Sequence, residues 1–350
     1  MLSACLVKQL TPEAQHLLEI ALLADKRSKA FGVTSENVSL LVAQRSHFLR
    51  SVYPMLNPFC RTALGWNDCS IGLLWDLWLP MAIQLADWRR TLGRLLIVGI
   101  LGGQGTGKTT LTMILRQILN HMEMQVCCLS IDDLYKTYAD RLQLQQVDPR
   151  FRWRGPPGTH DIELGMTVLQ QLRHADAEHP VAIPRFDKSA WDGMGDRTQA
   201  ELVTGADIVL FEGWFVGVRP IDPIAFDTAP PPILTEDDRT FARDINTRLQ
   251  DYLPLWDELD RLIVLYPTDY CLSQHWRQQA EQQMIASGKS GMTNAEINEF
   301  VEYFWRSLHP ELFITPLLHD SQHVDFIIEI NPDHCPSAIY CPDRHQSVSR

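Results

Sequence analysis

A glycine-rich loop at residues 102–109, with the pattern G-x-x-x-x-G-K-T, contains the residues of this chain best suited to chemistry. An apolar run precedes the loop and a helical pattern follows it, the strand–loop–helix order typical of phosphate binding. Glycines there let successive backbone N–H groups point at phosphate oxygens beside a helix N-terminus. We therefore predict that a nucleotide is bound by Gly102, Gly103, Gln104, Gly105, Thr106, Gly107, Lys108, Thr109 and Thr110.

Acidic residues follow two further predicted strands. Transfer of a phosphoryl group to a hydroxyl needs a carboxylate that orients the hydroxyl and accepts its proton, and we assign this role to Asp132. Lys108 would act on the β- and γ-phosphates, while Thr109 and Glu212 would hold Mg²⁺, with Asp133 as a neighbour or a metal-shell residue. The alternative is that the aspartates only cap a helix and that Glu212 is a solvated acid.

Two later loops and one late helix supply cationic side chains. An arginine can bind a carboxylate in bidentate fashion, and a lysine can add a point charge beside it, so the clustering predicts a small anionic substrate. Arg277 would come from a lid and neutralise charge on the transferring phosphoryl group. Ordinary surface salt bridges are the alternative for any one of these residues. The residues assigned to the substrate are Arg154, His160, Asp161, Arg185, Lys188 and Arg197.

The elements that must position these residues alternate between strand and helix beyond residue 94, which predicts an α/β fold with a mostly parallel sheet and helices on both faces. Ligands gather beyond the C-terminal ends of such strands, so the phosphate loop, Asp132 and Glu212 should meet at one edge. The predicted strands lie at 95–101, 125–131, 181–183, 208–212, 261–266 and 323–330, and the predicted helices at 109–120, 162–172, 240–252, 270–287 and 295–305.

Three regions are predicted along the chain: a helical N-terminal appendage at 1–90, an α/β kinase domain at 91–330 and a flexible tail at 331–350. The apolar stretch 71–86 is interrupted by an aspartate and a proline and is shorter than a membrane span, so we interpret it as a buried helix. The segment 218–236 is too rich in proline for regular structure.

Composition excludes several classes of protein. With 350 residues and 45% apolar side chains the chain can bury a large core, so it is not disordered throughout. A net charge of −12 argues against nucleic acid or an anionic membrane as a general partner. No secretory leader pattern is present at the start, which predicts a cytoplasmic protein. The eight cysteines include no C-x-x-C pair, so they are interpreted as reduced thiols, with a regulatory disulfide between Cys335 and Cys341 as a hypothesis.

Seven motifs in one order between residues 94 and 318 resemble the D-glycerate 3-kinases of plants and cyanobacteria. The phosphate loop alone is generic, whereas the fourth, fifth and seventh motifs are specific. More distantly, the layout is similar to uridine kinase, phosphoribulokinase and bacterial pantothenate kinase. The motifs are GGQGTGKTTL, SIDDLY, RGPPGTHDIELG, PRFDKSAWDGMGDR, LFEGWFVG, HWRQQAE and GMTNAEINEFVEYF.

This resemblance implies ATP- and Mg²⁺-dependent phosphorylation of D-glycerate at its 3-hydroxyl, the salvage step that closes the photorespiratory carbon cycle. The partner would be a small molecule, and the protein would be a monomer or a small homo-oligomer. Two alternatives stay open from the residues alone. One is a kinase for another small metabolite such as a nucleoside or pantothenate, and the other is a regulatory module that binds ATP without catalysis.

Overall fold

A computed structural model describes residues 2, 6, 10–286 and 292–342. The strands are β1 (Leu96–Gly102), β2 (Val126–Ser130), β3 (Val181–Asp187), β4 (Asp196–Val203), β5 (Ile208–Gly213), β6 (Arg261–Pro267), β7 (Phe326–Ile330) and β8 (Pro336–Tyr340). Six of them form one sheet in the order β2-β5-β1-β6-β7-β8, while β3 and β4 form a separate hairpin. Neighbours in the large sheet are parallel except β7 and β8. The predicted α/β fold with a mostly parallel sheet is confirmed.

Helices connect these strands, and their ends follow the capping rules. The side chain of Asp161 accepts a hydrogen bond from the backbone of Leu164 at the start of one helix. Thr293 and Glu296 form a reciprocal capping box at the start of another. The long helices are α1 (Pro12–Ala24), α2 (Val38–Ala63), α3 (Leu79–Leu92), α4 (Lys108–His121), α5 (Tyr138–Val147), α6 (Ile162–Leu172), α7 (Glu236–Arg248), α8 (Leu272–Ala286) and α9 (Asn294–Ser307).

Short helical turns link the longer elements, and two of them matter for the site. Ile131–Leu134 follows β2 directly, and Leu249–Tyr252 follows α7. The other turns are Lys26–Phe31, Ile71–Leu73, Leu74–Trp78, Pro223–Thr228, Leu253–Trp256, Pro310–Phe313 and Thr315–His319.

The N-terminal helices share a core with one face of the sheet. Val42 and Leu49 of α2 belong to the same buried apolar cluster as Val98 of β1 and Ile114 of α4. The opposite face is covered by α6, α7 and α9, which bury a second cluster against β5 and β6. The sheet is therefore shielded on both sides, and its polar chemistry is confined to the strand ends. None of the helices in the described ranges is long and apolar enough to cross a bilayer.

Several sequence-based expectations need correction. The hairpin strand β4 was not predicted, and β3 extends to Asp187 rather than to residue 183. The segment 218–236 contains the short helical turn Pro223–Thr228. The helix predicted at 270–287 begins at Leu272 and continues to Ala286, and residue 287 lies outside the described residues.

The predicted loose tail at 331–350 contains a strand, because β8 pairs with β7. Cys335 and Cys341 flank β8 at its opposite ends, which separates them by about 20 Å at the usual rise of a strand. A disulfide needs Cα atoms within roughly 7 Å. The hypothesis of a Cys335–Cys341 disulfide is therefore wrong for this fold, and residues 343–350 lie outside the described residues.

Candidate active site

The phosphate loop leaves the middle of the sheet, where β1 lies between β5 and β6. Gly105 and Gly107 have φ values of 78° and 88°, a region that other residues adopt only with strain. The backbone turns at these two glycines and enters α4 at Lys108. The free N–H groups of the first helical turn consequently lie beside the loop, as anion binding requires.

Lys108 lies between the loop and two carboxylates. Its Nζ donates a hydrogen bond to the carbonyl oxygen of Gly103 at 3.0 Å. Burial lowers the pKa of Lys108, and the charges of Glu212 and Asp132 oppose that effect. The predicted phosphate-binding lysine and the two predicted acids therefore come from separate strand ends and act on one another electrostatically.

Thr109 and Glu212 lie close enough to share an ion. The hydroxyl of Thr109 donates to Oε1 of Glu212 at 3.0 Å, because the parallel pairing of β1 with β5 sets Glu212 opposite Ile100, just before the loop. Hydroxyl and carboxylate oxygens beside a phosphate loop fit the ligand preference of Mg²⁺, which binds through one or two protein oxygens plus phosphates and water.

Asp132 lies in the helical turn that follows β2. Its Oδ2 is 2.6 Å from Nζ of Lys188, in the hairpin loop. Burial acts to raise the pKa of Asp132, but the charge and hydrogen bond of Lys188 outweigh it and hold the pKa below its usual value. Asp132 is therefore ionised at neutral pH and available as a hydrogen-bond acceptor.

The wall beside Asp132 contains the remaining predicted substrate residues. Arg154 donates to the carbonyl oxygens of Gly193 and Met194 at 2.7 and 3.0 Å. His160 is 2% exposed and stacks on Tyr135 with ring centroids 4.5 Å apart. We call Asp132, Lys188, Arg154 and His160 the open corner.

Arg197 and Asp161 bind each other in the same wall. The guanidinium of Arg197 donates to Oδ2 of Asp161 at 2.8 Å and to the carbonyl oxygen of Tyr135 at 3.0 Å. The other carboxylate oxygen of Asp161 caps α6. Both residues were predicted to bind the substrate, and in the structure they bind each other and neighbouring protein groups.

Arg185, predicted to bind substrate, and Asp133, predicted as a neighbour or a metal-shell residue, are paired with each other in the structure. Oδ2 of Asp133 accepts from the backbone of Ser130 at 3.0 Å and from Arg185 at 2.9 Å. The same arginine donates to Glu201 at 2.6 Å and to the carbonyl oxygen of Cys128 at 3.1 Å. Arg185 is thus occupied by protein acceptors, and Asp133 joins the hairpin to β2. We call Asp133, Arg185 and Glu201 the hairpin anchor.

Burial raises the pKa of Asp133, although the bonds from Ser130 and Arg185 act in the opposite direction. Asp132 and Asp133 are adjacent in the chain, yet their pKa values move in opposite directions because their surroundings differ.

Arg277 lies on α8, the helix that follows β6. Its guanidinium is paired with Glu281 one turn along and lies over the ring of Phe300 on α9 at 5.7 Å. Trp276 packs over Gly105 of the phosphate loop, since a Cβ built at Gly105 would lie 2.6 Å from that of Trp276. The helix α8 therefore contacts the phosphate loop. Arg277, the predicted lid arginine, would act on the transferring phosphoryl group from this helix.

Two contacts at the site were missed by sequence reasoning. Trp276 stacks on His334 with centroids 4.6 Å apart; its motif had been used only for Arg277. The hydroxyl of Tyr252 lies 2.8 Å from Nδ1 of His160. No local pattern marks Tyr252, because it is about 90 residues from its partner in the chain.

No family model matches the chain. The uncharacterized kinase mug58 of Schizosaccharomyces pombe is 31% identical over 264 residues, which cover 73% of this chain and 91% of that protein. The chloroplastic D-glycerate 3-kinase of Arabidopsis thaliana is 30% identical over 218 residues, 60% of this chain but only 46% of the plant protein. The chain thus spans less than half of that relative. The solved D-glycerate 3-kinase from Cryptococcus neoformans var. grubii has a TM-score of 0.67 at 27% identity and covers 74% of this chain and 96% of that one.

Proposed function

The chain belongs to the family of P-loop kinases that includes the D-glycerate 3-kinases, and from this premise we propose that it transfers the γ-phosphoryl group of ATP to the 3-hydroxyl of D-glycerate, giving 3-phospho-D-glycerate and ADP. One observation carries the proposal: an ionised carboxylate, Asp132, is paired with an exposed cation, Lys188, beside the phosphate loop. A substrate that receives the phosphoryl group on a hydroxyl and also bears a negative charge needs a carboxylate for the hydroxyl and a cation for the charge.

The proposal for an acidic substrate depends on the exposure of Lys188. Its side chain is 63% exposed, so it can leave Asp132 when a substrate enters and pair with the substrate carboxylate instead. Arg154 lines the same corner and adds a fixed positive charge. An uncharged nucleoside would leave both cations without a carboxylate partner. D-glycerate, a small carboxylate with a primary alcohol, suits this corner.

Catalysis in this account is mainly positioning and charge stabilisation. Asp132 accepts a hydrogen bond from the 3-hydroxyl, aligns it with the γ-phosphate and takes its proton as the P–O bond forms. Lys108 contacts the β- and γ-phosphates, and Arg277 approaches the transferring group when α8 moves over the loop. Thr109 and Glu212 would hold Mg²⁺, which supplies positive charge to the phosphate oxygens.

The experiment that tests this function is coupled ADP release with ATP and Mg²⁺ on D-glycerate, L-glycerate, pantothenate and uridine, with identification of the phosphorylated position. We expect turnover on D-glycerate and a 3-phosphate product. Turnover on pantothenate or uridine alone would keep the kinase chemistry and reject the substrate. No ADP release on any of the four would favour an ATP-binding module without catalysis.

A further inference from the structure

His160 is the most deeply buried polar side chain of the open corner. Its imidazole is 2% exposed and is enclosed by the rings of Tyr135, Phe215 and Tyr252. Nδ1 has a partner, the Tyr252 hydroxyl at 2.8 Å. Nε2 is also buried but has no hydrogen-bond partner within the part of the chain that the structure describes. A buried polar atom without a partner is uncommon in a folded protein and needs an explanation.

The hydrogen bonds of Tyr252 decide which ring nitrogen of His160 carries the proton. The Tyr252 oxygen accepts from the backbone N–H of Gly158 at 2.9 Å. Among the described residues, Nδ1 of His160 is the acceptor that the structure gives the Tyr252 proton, so the hydroxyl donates to Nδ1. With Nδ1 as acceptor, the neutral ring carries its proton on Nε2. In the opposite tautomer Nδ1–H would be the donor, and the buried Tyr252 proton would lose this acceptor.

The charge state of the ring agrees with this assignment. Burial lowers the pKa of His160 to about 3, against the opposing effect of the Asp132 carboxylate. The imidazole is consequently neutral at physiological pH, and Nε2–H is its single donor.

The groups around the imidazole of His160 indicate which ligand its Nε2–H donor serves. Tyr135, which stacks on the imidazole, also helps to lower the pKa of Asp132. His160 and Asp132 also interact electrostatically with each other. The ring is thus close enough to interact with the carboxylate that, under the proposed function, binds the reacting hydroxyl.

We propose that Tyr252 is a positioning residue that holds His160 as its Nε2–H tautomer, so that His160 donates a hydrogen bond to a substrate oxygen adjacent to the hydroxyl bound by Asp132. This inference rests on the proposed function, in which that oxygen is the 2-hydroxyl of D-glycerate. A site built around a buried donor discriminates strongly against an analogue that lacks the matching acceptor. His160 therefore selects D-glycerate over 3-hydroxypropanoate, which has the same carboxylate and primary alcohol but no 2-hydroxyl.

The tautomer is measured first, by ¹⁵N NMR of histidine in the full chain without substrate. The chain has 12 histidines, and the His160 signals are assigned by their loss in His160→Gln. We expect an unprotonated Nδ1 and a protonated Nε2 in the wild type, and loss of this single form in Tyr252→Phe. A protonated Nδ1 in the wild type, or an unchanged tautomer in Tyr252→Phe, would overturn the role of Tyr252.

The selectivity is measured by steady-state kinetics on D-glycerate and 3-hydroxypropanoate. We expect Tyr252→Phe to lower kcat/KM for D-glycerate by roughly 10- to 100-fold and to leave that for 3-hydroxypropanoate within about twofold. Tyr340→Phe is the control, since it removes a hydroxyl on the edge strand β8 that donates to Glu329 of β7, at the opposite edge of the sheet from β2 and Asp132.

Equal losses on both substrates would mean that Tyr252 has only a structural role and would overturn the inference. If the wild type phosphorylates neither molecule, the proposed function fails, and the NMR measurement still decides whether Tyr252 sets the tautomer of His160. The two failures are therefore distinguishable.

Discussion

The open corner and the hairpin anchor begin at adjacent aspartates, yet they differ in what faces each carboxylate. Asp132 of the corner is paired with Lys188, whose side chain is 63% exposed. Asp133 of the anchor is paired with Arg185, which is 24% exposed and also bonded to Glu201. A cation that can leave makes a site for a substrate, whereas a cation held by three acceptors ties elements together. Exposure and competing partners, more than residue type, separate the two regions.

The largest expected effect comes from Asp132→Asn. The amide keeps the shape of the side chain but cannot accept the proton of the hydroxyl, so we expect turnover to fall by about two to four orders of magnitude. ATP binding should be retained, because Asp132 does not belong to the phosphate loop. Kinetics and calorimetric titration with ATP measure the two quantities.

Asp133→Asn is the matched control for this substitution. It removes the same charge one residue away, in the anchor, and we expect less than about a tenfold loss of turnover. Equal losses in the two variants would contradict the division of tasks between the aspartates.

The second effect is on stability and follows from Arg185→Gln. The substitution leaves the buried carboxylate of Asp133 without its cation, and we expect a loss of about 1–3 kcal/mol in the free energy of unfolding. KM for D-glycerate should change little, because Arg185 is occupied within the anchor. Urea unfolding and steady-state kinetics test both expectations. An unchanged free energy of unfolding with a large rise in KM would mean that Arg185 binds the substrate, as the sequence predicts.

The third effect is on pH dependence and follows from Lys188→Met. Lys188 holds the pKa of Asp132 below its usual value against the opposing effect of burial. Without the Lys188 ammonium, the effect of burial is less opposed and the pKa of Asp132 rises. Asp132 is therefore protonated at a higher pH in the variant than in the wild type. We expect kcat/KM of the variant to decline at a higher pH than kcat/KM of the wild type when the solution is acidified. Parallel profiles would show that Lys188 does not control Asp132.

The smallest effect is expected for Glu201→Gln. Its side chain is 44% exposed, and an ion pair at such a position contributes less than about 1 kcal/mol. Turnover on D-glycerate should be unchanged. A loss as large as that of Arg185→Gln would mean that Glu201, rather than Asp133, is the principal partner in the anchor.

The sequence predicts the regions of this fold that depend on local pattern. The phosphate loop, the parallel strands and the acids after β2 and β5 follow from apolar runs that end in glycine or carboxylate. The contact between Thr109 and Glu212 was expected for the same reason, because parallel strands end at one edge of a sheet.

Other parts could not be predicted because they depend on contacts between distant segments. Arg185 and Lys188 are three residues apart, and the sequence predicts the same substrate-binding role for both. The pairing of β3 with β4 nevertheless allows Arg185 to contact Glu201, whereas Lys188 lies in the open corner. The strand β4 itself is mostly polar and exposed, so no apolar alternation marked it. Tyr252 reaches His160 only through the packing of its helical turn.

The most direct test of the account is a crystal structure of the chain with D-glycerate, Mg²⁺ and a non-hydrolysable ATP analogue. We predict the 3-hydroxyl at hydrogen-bond distance from Asp132, about 2.6–3.2 Å, the substrate carboxylate near Lys188 and Arg154, and the Arg185–Asp133 pair intact. A substrate carboxylate bound by Arg185, with that pair broken and the 3-hydroxyl away from Asp132, would contradict the central claim.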